Sequence, residues 1–436
     1  MSATSTIVSQ SDQRRALVWS TLAFTACFAV WTIFSIIGIQ IKENLGLNET
    51  QFGLLAGTPI LTGSLSRIFL GIWTDRYGGR ILYVIVMILA SIATWMLTYA
   101  ETYVEFLVAA LGVGLAGGSF AVGVAYVSKW YTTEKQGTVL GIFGAGNVGA
   151  AVTKFCAPFV MVALGWQAVA QVWAGILFAI AIIFWMVSKD DPEFLKRKNT
   201  NVPAKSMLLQ LEPLKQLQVW RFSLYYFFVF GAFVALALWL PQYLVGVYGL
   251  SITSAGMIAA IYSIPASLFR VLGGWLSDKY GARRVMYWTF IASSICAFFL
   301  SYPATHYVVE GIDREIEFSI RVTLPVFIVL IFVLGFFMSL GKAAVYKHIP
   351  VYYPDHVGAV GGLVGMIGGL GGFILPVAFG ILNDLTHIWT SCFMLLFALV
   401  ATALTWMHFA ITIMDRKTHP QLKEPAYLPE LGEPGK

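Results

Sequence analysis

The sequence predicts an all-α membrane protein of twelve transmembrane helices, arranged as two pseudo-symmetric six-helix halves. Three observations predict it. Hydrophobic residues make up 58% of the 436 and charged residues only 11%, where a soluble domain carries about 25% charged; mean hydropathy is +0.76. Twelve apolar segments occur, each long enough for a crossing that needs about 20 residues, and none shows the alternating pattern of about ten residues that a transmembrane barrel requires. A charged stretch of the first half returns in the second at an offset of 203 residues.

The segments run 16–41, 51–73, 81–100, 103–130, 137–163, 166–187, 221–246, 253–276, 284–303, 322–348, 357–382 and 388–413. The first follows a polar Met1–Asp12 and the pair Arg14 and Arg15. It is too long for the apolar part of a signal peptide and is expected to stay as the first helix. The second carries Arg67 and runs into Gly71, Asp75, Arg76, Gly78 and Arg80; the eighth carries Arg270 and runs into Gly274, Asp278, Lys279, Gly281 and Arg283 in the same register. The fourth holds Gly112, Gly114 and Gly117, and the fifth Gly144, Gly146 and Gly149. Both fit the spacing of a dinucleotide fingerprint, but that motif needs a preceding strand and an acidic residue about 20 positions on. Neither is present, and close helix packing is the better account.

After the sixth segment comes the longest polar stretch, Lys189 to Gln218, with Asp190, Asp191 and Pro192, the run Lys196, Arg197 and Lys198, and Pro203. It reads as a linker at 189–220 between a first half, 1–188, and a second, 221–414, with a tail at 415–436. In the seventh segment Tyr226 and Phe230 are four apart and share a helix face. Between the ninth and tenth, Thr305 to Arg321 reads as a polar loop on the outer side. The eleventh repeats the glycine run of the fifth at an offset of 221: Tyr131 with Tyr352, Gly137 with Gly358, Val139 with Val360, Gly141 with Gly362 and Gly144 with Gly365.

The net charge of +6 does not indicate nucleic acid. With the N-terminus cytoplasmic, 21 of the 28 Lys and Arg fall in or beside cytoplasmic segments, three (Lys42, Arg314, Arg321) lie outside and four (Arg67, Lys154, Arg270, Lys342) lie within spans. That asymmetry places both termini in the cytoplasm. Cys27, Cys156, Cys296 and Cys392 all lie in apolar segments and read as small apolar filler, since their spacing suits neither disulfides nor zinc. No cofactor, metal or catalytic motif is expected, so an enzyme is not.

The two in-span arginines are the strongest functional signal. A guanidinium at the centre of a membrane helix costs about 2.5–3.5 kcal/mol on insertion scales. Two at matched depth in two repeats point to a paired site for something negative. The repeated Gly71–Arg80 and Gly274–Arg283 elements resemble the loop signature of the major facilitator superfamily, in which substrate binds at the midplane between parallel repeats. Gly71 and Gly274 are expected to let neighbouring helices pack closely. Asp75 and Asp278, with Arg76 and Lys279, are expected to form a cytoplasmic latch.

The glycine runs, Gly141 to Gly149 around Asn147 and Gly361 to Gly372, resemble the two signatures of the nitrate/nitrite porter family within that superfamily. The resemblance covers nearly the whole chain. It implies that Arg67 and Arg270 clamp the substrate, aided by Asn147, Tyr226, Phe230 and Phe120. The chemistry of the residues agrees. Nitrate is a flat monoanion with three acceptor oxygens, and Arg presents a planar fork of donors. Asn147 and Tyr226 can donate as well, and Phe120 and Phe230 can sandwich the ion.

Lys154 lies seven residues beyond Asn147, about 10 Å along the helix, and is expected to line the outer path. Lys342 is a second candidate for the pathway or for coupling, against the alternative that it snorkels to the interface. The helix-ten stretch resembles the proton-coupled branch of the family, whereas the lack of an Asp or Glu in the middle of any span favours exchange. The expectation is a monomeric nitrate transporter of the inner membrane, working by alternating access with proton symport. Nitrate/nitrite antiport is the alternative. A nitrate receptor on a transporter scaffold and an organic-solute exporter are alternatives from other classes.

Overall fold

A computed structural model describes residues 9–131, 133–192, 194–196, 215–353 and 357–418. Eleven helical stretches among them are long and apolar enough to cross a membrane: α1 Gln10–Leu45, α2 Glu49–Thr74, α3 Gly79–Tyr99, α4 Tyr103–Ser128, α5 Thr138–Leu164, α6 Trp166–Val187, α7 Leu217–Tyr248, α8 Ile252–Tyr280, α10 Leu324–Ile349, α11 Val360–Thr386 and α12 Ser391–Ile413. The twelfth, α9, is Ala282–Leu300. Arg283 and Arg284 in its first turn dilute its hydropathy, yet it packs on α10 and α12 as a crossing helix does. Helices satisfy their own backbone groups, which is why a chain this apolar takes this form in lipid.

The helices α1–α6 pack on one another, as do α7–α12, and the two halves meet chiefly along α2 with α11 and α5 with α8. Glycines set those crossings. At Gly53 a Cβ would lie 2.2 Å from the carbonyl oxygen of Pro376, and at Gly256 2.4 Å from that of Lys154. The repeat is visible in the backbone too. Gly78 and Gly281, between α2 and α3 and between α8 and α9, have φ of +90° and +84°. These are left-handed values that only glycine adopts without strain.

One end of the bundle carries Asp12, Arg15, Lys129, Lys189, Lys279 and Lys347 and is termed the basic end; the other is the far end. Hydrogen bonds between the halves gather at the far end. The Asp384 carboxylate of α11 accepts from the backbone N–H groups of Glu49 (3.1 Å) and Thr50 (2.9 Å) and from the Thr50 hydroxyl (2.5 Å), at the start of α2. Gln242 of α7 donates to Glu49 at 3.5 Å. At the basic end the described ion pairs stay within a half: Lys189 with Asp12 at 3.0 Å and Lys347 with Asp278 at 2.5 Å. Among the described residues, the far end is thus drawn together by these hydrogen bonds, while towards the basic end the second part of α8 packs on the start of α5.

That state corrects one expectation. At Gly71 and Gly274 a Cβ would meet nothing within 4 Å, so neither glycine serves helix contact here. Both lie towards the basic end. The latch is described only in part. Asp278 pairs with Lys347 of its own half, Lys279 lies over the Trp275 and Tyr280 rings and Arg76 over the Tyr77 ring, while the Asp75 side chain lies outside the described residues. So do linker residues 193 and 197–214 and tail residues 419–436; α7 begins at Leu217, inside the expected linker.

The expected polar loop after α9 is instead an antiparallel hairpin, β1 Thr305–Glu310 with β2 Glu315–Ile320. Its strands alternate at period two, a local pattern that the high polarity of the stretch conceals.

Candidate functional site

Four of the six expected binding residues lie where the helical geometry departs from regular α, or beside such a departure. Asn147 falls in a 3-10 stretch, Ala145–Val148, that interrupts α5. Phe230 falls in a π stretch, Phe227–Ala232, in α7, and Tyr226 immediately precedes it. Arg270 opens the second part of α8 after a break at Phe269. Such interruptions turn side chains off the regular face and recur at functional sites. Arg67 and Phe120 stand on unbroken stretches of α2 and α4.

Five of the six side chains converge, and Asn147 lies one turn along α5 from Gly144, against which Arg270 rests. Arg67 and Arg270 are both buried, and their guanidinium carbons lie 5.3 and 5.7 Å from the centroid of the Phe120 ring. Arg67 also lies 5.3 Å from the ring of Phe230 and 5.4 Å from that of Trp31. Arg270 lies 5.6 Å from the ring of Tyr346. Phe230 stacks on Tyr226 at 5.1 Å, and Tyr226 meets Tyr346 edge-on at 5.0 Å. Desolvated cation–π contacts are worth about 2 kcal/mol, so the aromatic cage offsets part of the cost of burying two cations.

Each arginine rests against the other half's glycine run. Arg67 donates from Nη1 to the Gly365 carbonyl at 3.0 Å, and from Nε to that of Gly117 at 3.4 Å. At Gly369 a Cβ would come 2.5 Å from Ser64 Oγ and 3.2 Å from Arg67 Nη1; at Gly144 it would come 3.0 Å from Arg270 Nη1. The density of glycines in α5 and α11 therefore makes room for guanidinium groups as well as for neighbouring helices.

The polar atoms of the site are unusually free. Both amide atoms of Asn147, the Tyr226 hydroxyl, Arg270 Nη1 and Ser64 Oγ are buried with no hydrogen-bond partner. Each such atom costs about 1–3 kcal/mol, and a cluster of them calls for an explanation. Asn147, Tyr226, Arg270 and Ser64 all offer N–H or O–H donors to an acceptor-rich anion. Among the described residues no Asp or Glu lies in the middle of a membrane helix, so the site's fixed charge is positive.

The two buried lysines each donate to a backbone carbonyl. Lys154 is fully buried and donates to the Ala150 carbonyl at 2.9 Å. Lys342 is fully buried, donates to the Ala266 carbonyl at 2.5 Å and lies 3.5 Å from the centroid of the Phe233 ring. It does not snorkel. The break in α8 after Leu268 leaves the Ala266 carbonyl to this ammonium group, which ties Lys342 to the segment that aims Arg270.

Sequence reasoning missed Trp31, Tyr346 and Ser64. Trp31 is one aromatic in an apolar run and carries no local signal; its Nε1 donates to the Pro59 carbonyl at 2.8 Å, which fixes it beside Arg67. Tyr346 lies one turn beyond Lys342, and Ser64 one turn before Arg67, so helical spacing from a known cation was the available clue.

The family model for the Major Facilitator Superfamily matches residues 19–305 and 248–430. Among curated proteins, the chain is 42% identical to a probable nitrate/nitrite antiporter of Thermus thermophilus, over 94% of this chain and 95% of that one. It is 31% identical to a probable nitrate/nitrite transporter of Mycobacterium tuberculosis, over 91% and 96%, and 30% identical to a nitrite extrusion protein of Bacillus subtilis, over 84% and 86%. Among solved structures, a bacterial homologue of the human lysosomal transporter Spinster, inward-facing and occupied, aligns with a TM-score of 0.68 at 17% identity, covering 96% of this chain and all of that one. At that identity the likeness concerns the fold alone.

Proposed function

The chain belongs to the Major Facilitator Superfamily and, within it, to the nitrate/nitrite porters, and on that premise we propose that it carries nitrate across the inner membrane by alternating access. The observation that carries this reading is the convergence of Arg67 and Arg270 on the ring of Phe120, in a buried centre that holds no carboxylate among the described residues and where donors of Asn147 and Tyr226 are unpartnered. Nitrate sits between the two guanidinium groups, with the amide of Asn147 and the hydroxyl of Tyr226 as further donors. Phe120, between the arginines, and Phe230 exclude water from the ion's faces.

Two like charges held in a low dielectric repel. A bound monoanion offsets that repulsion and lets the halves, 1–188 and 221–414, close at the basic end as the far-end contacts of Asp384 part. The basic end faces the cytoplasm, with both termini there, because membrane proteins retain positive charge on that side. On this reading the far-end contacts of Asp384 close the outer side. In the opposite state Gly71 and Gly274, with Asp75, Arg76, Asp278 and Lys279, come into use as the cytoplasmic latch. The chain acts as a monomer without a cofactor.

The positive-only centre favours exchange of one monoanion for another, nitrate in and nitrite out. Proton symport is the second reading. It rests on Lys342, a buried titratable group beside Arg270, with Lys154 further along the path. Purified protein in liposomes separates the two. Exchange requires labelled nitrate to enter only when nitrate or nitrite is trapped inside; accumulation driven by a proton gradient alone would overturn it in favour of symport. Failure of both gradients to move nitrate would sink the transport reading itself.

A further inference from the structure

The hairpin β1–β2 is the one part of the described chain with no place in the transport cycle above. Its register puts Tyr307 opposite Phe318, Val309 opposite Ile316 and Thr305 opposite Ile320. Successive strand residues point to opposite faces, so these side chains share one face. The other face carries the pairs His306 with Ser319, Val308 with Glu317 and Glu310 with Glu315. The hairpin is therefore amphipathic, apolar on one side and mostly polar and acidic on the other. Its apolar side is nonetheless bare: Val309, Ile316, Phe318 and Ile320 each keep between 44% and 49% of their surface exposed.

A lone two-stranded hairpin is marginal in water, and an apolar face left to solvent makes it more so. The position of this one supplies a cover. Only residues 301–304 separate it from α9 and residues 321–323 from α10. Both bases are tied down: the Tyr302 hydroxyl pairs with that of Tyr307, and Tyr248 at the end of α7 donates to the Val322 carbonyl at 3.1 Å. The adjoining turns carry Phe298 and Phe299 on α9 and Val326 and Val329 on α10, all exposed, and so extend the apolar surface of the hairpin along two membrane helices. The hairpin's base is thus held at the ends of two membrane helices, where a bilayer's hydrocarbon gives way to its headgroups. Tyrosine side chains such as Tyr302 and Tyr307 are enriched at that boundary.

We propose that this hairpin lies on the bilayer at the far end, with Tyr307, Val309, Ile316, Phe318 and Ile320 buried in the boundary between headgroups and acyl chains. Its acidic face, with Glu310, Glu315 and Glu317, stays in water. A second copy of the chain is the weaker occupant. A stable protein contact needs about 20–30 residues a side, and this face offers five. Carboxylates turned to water, and no basic residue on the apolar face, make the attachment hydrophobic and indifferent to anionic lipid.

The test places single spin labels on the full-length protein, carrying Cys156→Ala to remove the exposed native thiol, in phosphatidylcholine nanodiscs. Labels go on at Ile316→Cys and Phe318→Cys, and separately at Glu317→Cys and Ser319→Cys. Power saturation then compares access to oxygen, which concentrates in lipid, with access to a water-soluble nickel chelate. The oxygen-to-nickel ratio is expected to be several-fold higher at 316 and 318 than at 317 and 319, and unchanged when phosphatidylglycerol is added. Equal nickel access at all four positions would overturn the proposal, because the hairpin would then stand in water. Shielding of 316 and 318 from both reagents would overturn it in favour of a protein cover.

Discussion

Arg67 of α2 donates from Nη1 to the carbonyl oxygen of Gly365 in α11, 3.0 Å away and in the opposite half of the molecule. The relationship is repeated in kind by the internal duplication. Arg270, the repeat partner of Arg67, lies against Gly144, the repeat partner of Gly365. Each half supplies a cation and a glycine platform for the cation of the other.

Because that geometry depends on a planar fork, Arg67→Lys and Arg270→Lys each lose transport although charge is kept. A lysine is a point donor and cannot span a carbonyl and an anion at once. We expect nitrate uptake per KM to fall at least tenfold, about 1.4 kcal/mol, measured with labelled nitrate in proteoliposomes. Uptake at the parent rate by either variant would remove the clamp from the mechanism.

Gly369→Ala tests the platform. The added methyl meets Ser64 Oγ at 2.5 Å and Arg67 Nη1 at 3.2 Å, and overpacking of this kind costs about 1–3 kcal/mol. Nitrate affinity is expected to drop. Gly175→Ala in α6, where the methyl meets nothing within 4 Å, is expected to leave transport unchanged. Equal effects at the two positions would mean that general helix stability is being read.

Asn147→Asp keeps the size of the side chain but replaces an amide donor with an acceptor of negative charge. Buried one turn from Gly144, against which Arg270 lies, it acts as a built-in counter-anion. Stabilisation of the protein by added nitrate in a thermal melt should disappear, while the melting temperature without nitrate holds or rises as the two cations gain a partner.

The far-end closure rests on Asp384, whose carboxylate caps the start of α2 from the other half. Caps of this kind are worth about 0.5–2 kcal/mol. Asp384→Ala should therefore shift the balance of states towards opening at the far end by up to roughly thirtyfold, since 1.4 kcal/mol is one decade. Distances between spin labels at the far ends of α2 and α11 would report it; an unchanged distribution would show that the cap does not hold the state.

Lys342→Met leaves the Ala266 carbonyl without its donor, at a cost of about 1–3 kcal/mol. Nitrate–nitrite exchange should weaken but remain measurable. Any uptake component driven by a proton gradient should vanish, and its survival would exclude Lys342 from coupling.

The number of crossings, the duplicated halves and the cations at the centre were legible in the sequence because each is written locally. Apolar length marks a span, an offset of 203 marks a repeat, and a charge inside an apolar run is conspicuous by its cost. Asn147, Tyr226, Phe230 and Phe120 were reached through the family resemblance, and the convergence of the three aromatic residues around the arginines could not be inferred from spacing. The tertiary structure alone decided which carbonyls the arginines bind, that Trp31 and Tyr346 complete the cage, and that Lys342 is sealed inside. It also decided that Gly71 and Gly274 stand free in this state and that the polar loop is a hairpin. Those features depend on which helices of the two halves cross, and at what depth. Crossing is set by contacts between residues hundreds of positions apart, such as Thr50 with Asp384, which leave no periodic trace along the chain.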